Sequence, residues 1–331
     1  VYDRLGKNHL KMYNMALSGS SSNFVEQDSM VPCPIHWYGY SDGTNTRLLT
    51  DAEMTSEQIA VPKGAAFVQQ AITNQQQPNI TSDFYLSYLK TPVNTTFDLN
   101  GYLLKVNGPV LVTGEMQSQL GSKLILSRNS YKSELKFGDN DFIDSLVIDK
   151  VFDDGGTGIK LNSGLYLVDA LICDSGRLDI ASGKMLSLWN HPTYGVAKAF
   201  VGDNGSIIGD VRDIHYIPAR RAFRLFSSPV NSKSNIYDNW QAGGLSIANT
   251  GTHITGNGTN GTDKTATSNP SLFTFNNSSQ SWSAVTSTNG TNDKIYAGVP
   301  YRIMVRGDRK IDLTDANPTA TYTYLYNVGS L

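Results

Sequence analysis

Short apolar strands recur between Gly101 and Ile217, each closed by Gly, Asn, Asp or Ser. Leu104 and Val106 start one, and Leu124 and Leu126 the next. Leu146 and Ile148, Leu165 and Leu167, Leu186 and Leu188, and Ile207 follow. The starts lie about 20 residues apart, and a fixed period of that length marks a repeat architecture. Apolar residues alternate with others inside each strand, so one face can be buried. A single repeat cannot cover that face, whereas a stack can. The pattern therefore predicts a parallel β-solenoid over residues 99–217, one coil per repeat. Leu104, Leu124, Leu146, Leu165 and Leu186 would form one inward column. Gly101, Gly164, Gly183 and Gly205 precede strands, where a turn calls for positive φ. The alternative is an ordinary antiparallel β-domain, whose strands and turns also recur regularly.

The flanking segments have other textures. Residues 1–98 hold most of the methionines and many prolines, a short helix predicted from Asp51 and strands predicted over Ala65–Ile72 and Phe84–Leu89. This segment reads as a cap on the first coil or as the end of a preceding domain. Beyond Pro218 the pattern changes to strands joined by Gly/Asn turns. Leu272–Phe275, Trp282–Val285, Tyr301–Val305 and Thr321–Tyr326 are the clearest. They predict a β-sandwich, jelly-roll-like, over 218–331. The Gly/Asn/Thr-rich tract Thr250–Asn269 is expected to be a long loop. Phe223, Leu225 and Phe226 would close the last coil. The fold class expected is all-β throughout.

Composition narrows the function classes. With 27 basic and 29 acidic residues among 331, no net charge draws the chain to nucleic acid or to an anionic membrane. No apolar run is long enough to span a bilayer. Low charge with many small polar residues and Tyr suits exposed β-structure. Cys33 and Cys173 read as two buried free thiols, with a long-range disulfide as the alternative. The start at Val1 and the abrupt end at Leu331 are read as marks of a processed product or of a piece of a longer polypeptide.

Several strings then occur in order: Tyr216 to Val230 with its Arg220-Arg221 pair, Trp240-Gln241, Gly251 to Gly256, Asn269 to Asn276, and Val305 to Arg309. Together they resemble a module of large surface and secreted proteins of Bacteroidota, among them gliding-type adhesins exported by the type IX system. There, degenerate β-repeats precede the Arg-Arg segment. The resemblance covers about residues 100–331, without a C-terminal sorting domain. It implies export, an extracellular or cell-surface location, and a role as structural scaffold or adhesin. Partners would be other segments of a longer polypeptide, other surface proteins, glycans or surfaces. It supplies no catalytic residues. It also implies O-glycosylation at Asp-Ser-apolar triplets, which places Ser29 and Ser145 as candidates.

The chemistry-bearing residues are sparse. The five histidines lack metal-ligand spacing, and there is no nucleophile elbow, phosphate loop or dinucleotide fingerprint. No cofactor is expected. Asp139 and Asp141, and Asp153 and Asp154, are the oxygen-bearing loop positions that would suit Ca²⁺, against a reading as solvated turns. Asp149, Asp169 and Asp179 are the carboxylates that would line one flank if the solenoid carried a carbohydrate-active enzyme. Trp240 and Trp282 are the rings that would stack on sugars in a carbohydrate-binding module. Arg306-Gly307-Asp308 follows an apolar strand and reads as a strand-end turn. Arg220, Arg221 and Arg224 read as packing stems or salt-bridge partners. The leading expectation is a non-enzymatic stalk, spacer or attachment segment.

Overall fold

A computed structural model describes residues 34–37, 66–69, 83–86, 88–91, 93, 96–106, 110–127, 133–149, 158–315 and 317–331. The helix predicted from Asp51, Cys33, Ser29, Asp153 and Asp154 lie outside the described residues. The chain is almost entirely β, and its first part is a β-solenoid of about four turns. Two compact units divide it: 1–185 with 200–208, and 186–199 with 209–331.

In the first unit, β1 (Pro34–Trp37) and β2 (Ala66–Gln69) pair in parallel. The coils follow. β3 (Phe84–Leu86), β4 (Tyr88–Thr91) and β5 (Thr96–Asp98) make one. β6 (Leu103–Val106), β7 (Val110–Val112) and β8 (Glu115–Gln117) make the next. β9 (Lys123–Ser127) and β10 (Ser133–Leu135), then β11 (Phe142–Asp149) and β12 (Ile159–Leu161), continue the stack. β13 (Leu165–Ile180) runs without a break along two walls.

The pairings that build these walls are parallel, which requires the chain to go round once between neighbours. One wall stacks β3, β6, β9, β11 and β13. A second stacks β2, β4, β7, β10, β12 and β13. The third is the β5–β8 pair extended by a bridge from Met116 to Phe137. Strand alternation sends one residue in two inward. Leu104, Leu124, Leu146 and Leu171 stand in register and are fully buried. Phe97, Met116 and Phe137 make a matching column on the third wall.

The column therefore differs from expectation at its end. Leu171 faces Leu146, and Leu165 does not. A register irregularity between Ile143 and Ser145, against an unusually long strand, shifts the partner along. Leu186 belongs to the second unit, where it opposes Val211. The boundary drawn at residue 98 also moves, because β3, β4 and β5 are already coil strands. The other boundary, drawn at 217, falls earlier, since 186–199 and 209–217 group with the second unit.

Corners hold the polar groups. Gly101 and Gly121 have φ of +82° and +92°, and a Cβ on Gly121 would approach the Gly101 carbonyl oxygen to 2.7 Å. Ser122 Oγ accepts from the Gly101 amide at 3.1 Å, and Asp144 Oδ1 accepts from the Gly121 amide at 2.9 Å. Gly183 is also left-handed, at φ +74°. Gly164 and Gly205 are not among the positive-φ residues. Gly205 is needed for space instead, since a Cβ there would strike the Cys173 carbonyl oxygen. Cys173 itself is a buried free thiol, and burial raises its pKa.

The second unit begins with β14 (Leu186–Asn190). β15 (Lys198–Ile208) follows, with its 200–208 portion in the first unit. β16 (Val211–Ile217) pairs parallel with β14. β17 (Ala222–Phe226), β18 (Asn231–Ser232), a short helix α1 (Ile236–Asn239), β19 (Thr255–Gly256), β20 (Asp263–Lys264), β21 (Leu272–Asn276), β22 (Ser281–Ala284), β23 (Tyr301–Val305) and β24 (Thr323–Ser330) complete it. β24 returns antiparallel to both β16 and β18. A separate antiparallel sheet runs β17–β23–β21–β22. Ile217 and Leu325 from the first sheet meet Leu272, Tyr301, Ile303 and Val305 from the second, around the fully buried Trp240.

Phe223 and Leu225 were expected to bury. They are 40% and 75% exposed. Both sit on the outer side of β17, where Arg302 lies 4.2 Å over the Phe223 ring. Only Phe226 of the three packs on the core of its own unit, edge-on to Trp240 at 5.1 Å.

Candidate functional site

The expected site residues are mostly structural. Trp240 is fully buried, T-shaped against Tyr301 at 5.0 Å, and cannot stack on a sugar. Residues from strands distant in the chain cover it, Leu272, Ile303 and Leu325 among them, which no local pattern announces. Trp282 is half-buried on the edge strand β22 with its ring 5.2 Å from Phe275. Ser145 is only 7% exposed, and its hydroxyl donates to Asp169 Oδ2 at 3.1 Å in the next coil. It precedes the inward Leu146 and bonds the exposed Asp169, so it lies on the outer side as alternation requires, but it is covered there rather than accessible.

Asp139 is exposed in its turn, while Asp141 accepts from the Gly138 amide at 3.2 Å. Burial raises the Asp141 pKa, with the Asp98 and Glu115 carboxylates adding to it. Among the described residues no group of three or more His, Cys, Asp or Glu is placed to hold a metal ion. The flank carboxylates do not line up either. Asp149 accepts from Ser175 at 2.9 Å, Asp169 from Ser145, and Asp179 from Arg177 at 2.7 Å. Asp308 of the Arg-Gly-Asp tripeptide is buried and accepts from the Asn249 and Lys310 amides. Arg224 donates to the Arg220 carbonyl at 2.8 Å.

Two buried polar clusters lie in the second unit. On β16, Asp213 and His215 share a face by their spacing of two. His215 Nε2 is 3.0 Å from Asp213 Oδ2, and Asn190 Nδ2 is 3.0 Å from His215 Nδ1. Ser228 Oγ donates to Asp213 at 2.8 Å and accepts from Asn327 at 2.8 Å. Ser, His and Asp meet here without the order of a nucleophilic triad. The hydroxyl points at the carboxylate, not the imidazole, and it is buried.

The other cluster pins the Gly/Asn/Thr tract. Arg309 grips Asp263 with two bonds, of 2.9 and 3.0 Å. His253 Nδ1 lies 3.2 Å from Asp263 Oδ2, and Gln241 donates to the same oxygen at 3.1 Å. Burial alone would raise the Asp263 pKa. The bonds and charges of His253 and Arg309 outweigh it and hold the group at about 2. The tract expected to be a loop is thus fastened at its middle, with Thr252, Thr255 and Thr262 buried.

A third cluster is aromatic and faces outward. β24 alternates Thr323, Leu325 and Asn327 inward with Tyr324, Tyr326 and Val328 on the opposite face. Tyr324 opposes Tyr216 across the strand pair, with ring centroids 5.6 Å apart. Tyr322 lies 5.9 Å from Tyr216 and is 41% exposed. Burial raises the Tyr324 hydroxyl, as do the neighbouring hydroxyls of Tyr322, Tyr216 and Tyr326. On β14, Trp189 lies on this same face, opposite Ile214 and, through it, Tyr326. Its ring meets His191 edge-on at 4.6 Å. His191 in turn stacks on Tyr194 at 4.2 Å and 17°. The turn between them is closed by two backbone bonds, of 3.0 and 3.1 Å, between His191 and Gly195. The alternation in Thr321-Tyr322-Thr323-Tyr324-Leu325-Tyr326 was the signal available for this face. Reading it only as a strand concealed what the outer side carries.

No protein-family model matches the chain, and no match was found among curated proteins or solved structures. Among the described residues no helix is long and apolar enough to cross a membrane.

Proposed function

We propose that the chain is a non-enzymatic structural and attachment segment of an exported bacterial cell-surface protein, the solenoid serving as a spacer. The single observation that carries this reading is the set of in-register columns, Leu104–Leu124–Leu146–Leu171 and Phe97–Met116–Phe137, fully or almost fully buried. Each coil gives its backbone bonds to the coils above and below it. Load along the stack is therefore shared by many parallel bonds rather than by one turn. The resemblance to surface proteins supports the extracellular setting, with other segments of a longer polypeptide, surface proteins or glycans as partners.

A carbohydrate-active enzyme on the same scaffold would need carboxylates converging on a groove. Asp149, Asp169 and Asp179 each engage a different neighbour, so that trio does not supply them. The test is a pulling experiment on the full chain, held at its two termini. The spacer reading expects a high-force release in steps of about one coil's contour length. Release at low force, or new reducing or unsaturated ends in a polysaccharide incubated with the chain, overturns it.

A further inference from the structure

We propose that the tyrosine-lined outer face of β16 and β24, with the His191–Tyr194 turn that follows β14 beside it, is a binding platform for a neutral polysaccharide. This deepens the attachment half of the reading above and rests on it; the spacer half does not depend on it.

The chemistry of the face selects the ligand. A sugar ring offers a flat C–H surface on one side and hydroxyls round its edge. A phenol offers a π face and one hydroxyl, so Tyr216, Tyr322 and Tyr324 can meet both parts at once. Their rings lie within about one ring-width of each other, at 5.6–6.2 Å, and span two strands. The His191–Tyr194 stack continues the aromatic surface beside them, because His191 is one step beyond the Asn190–His215 pair and so adjoins the position of Tyr216. A chain several sugars long fits such a band better than a compact ligand does.

Charge excludes other occupants. At the paired positions on this side of the sheet, Ser187, Arg212 and Val328 form one row, Trp189, Ile214 and Tyr326 the next, and Tyr216 and Tyr324 the last. Ser187 and Ile214 are buried, so the part open to a ligand is the last row with Tyr322 and Tyr194 beside it. Arg212 is the one formal charge in these rows. Asp213 and His215 belong to the other face. His191 adds little charge near neutrality, since burial lowers its pKa and its Nδ1 accepts from the Thr193 amide at 3.1 Å. A polyanion would find a single cation here, and a polycation no carboxylate. An uncharged polymer leaves no charge unpaired.

The platform is also preorganised. Tyrosine has few rotors to freeze, and the turn carrying Tyr194 is tied at both ends before any ligand arrives. Tyr194 is 44% exposed even so, which leaves ring surface to cover.

The experiment is native electrophoresis of the full chain through gels containing hydroxyethylcellulose, xyloglucan or galactomannan, with alginate as the acidic comparison. Retardation by at least one neutral polymer and not by alginate is expected. Tyr322→Ala and Tyr194→Ala, at exposed positions where folding is not at stake, should each weaken retardation by about tenfold or more. Tyr322→Phe should keep most of it. Three results overturn the proposal: no retardation by any neutral polymer, retardation by alginate alone, or equal retardation of wild type and both alanine variants. A concentration-dependent dimer in sedimentation that Tyr322→Ala abolishes also overturns it, because a second copy would then be the occupant. Any of these outcomes leaves the pulling measurement, and with it the spacer reading, unaffected.

Discussion

The two units bury their polar groups by opposite means. The solenoid keeps polar side chains at its corners, where Ser122 and Asp144 hold the amides of left-handed glycines, and fills its interior with columns of Leu, Phe and Met. The second unit brings charged groups inside. Asp263 with Arg309 pins the irregular Gly/Asn/Thr tract, and Asp213 is buried between strands beside His215 and Ser228. Repetition explains the difference. A coil inherits its backbone partners from its neighbours, so its side chains need only pack. An irregular loop has no such partners, and side-chain oxygens must satisfy its amides instead. The units should therefore fail in different ways, one to a defect in a column and the other to loss of a charge.

The largest effect is expected from Leu146→Asp. Leu146 lies between Leu124 and Leu171 in the column and is fully buried. The substitution loses the burial of a leucine and places an unpaired carboxylate where no donor waits, a cost of several kcal/mol. Equilibrium urea unfolding followed by far-UV circular dichroism should show the midpoint fall steeply, with the near-UV aromatic signal, to which the buried Trp240 of the other unit contributes, retained longer. Simultaneous loss of both signals would mean that the units unfold as one.

Next in size is Arg309→Met, which leaves Asp263 buried without its bidentate partner. Removing one member of a buried pair costs about 3–5 kcal/mol. Acid then probes the same clamp. The folded pKa of Asp263 is about 2, below the ordinary 3.8, so its contribution is fully present above about pH 4 and is lost as pH falls through about 2. That contribution amounts to about 2 kcal/mol. Unfolding free energies measured from pH 5 to pH 2 should show this loss in the wild type, and Asp263→Asn should flatten it. An acid limb unchanged by Asp263→Asn would remove the clamp from the account.

The contrast also shows what was legible in the sequence. The period of about 20 residues was, because each coil repeats the same inward positions, as Leu104, Leu124 and Leu146 do. It misled at Leu165 and Leu186. A bulge beside Ser145 and a strand that crosses two walls break the count without altering the local alternation. The charged clamps were not legible at all. Asp263 and Arg309 are far apart in the chain, and nothing near either one names the other. Trp240 shows the same limit: a tryptophan among Gly and Asn looks exposed until distant strands cover it. The outer tyrosines were legible as a strand, while their grouping depended on the β16–β24 register, with Tyr216 opposite Tyr324.

The smallest predicted effect compares two serines. Ser228 lies among buried groups, donating to Asp213 and accepting from Asn327 and from the Val230 amide. Ser145 donates to Asp169, whose side chain is at the surface. Ser228→Ala takes a donor from a buried carboxylate and an acceptor from two buried N–H groups, and such losses cost about 1–3 kcal/mol. Asp213 keeps His215 and Asn327 keeps the Val230 carbonyl, which favours the lower part of that range. Ser145→Ala deprives only a carboxylate that water can reach, so a change of about 0.5 kcal/mol is expected. Chemical denaturation of both variants measures the difference directly. Ser228→Ala should be the costlier by about 1 kcal/mol. Equal costs would show that the solenoid wall relies on its side-chain hydroxyls as much as the irregular unit does, and the division between packing and polar pinning would not hold.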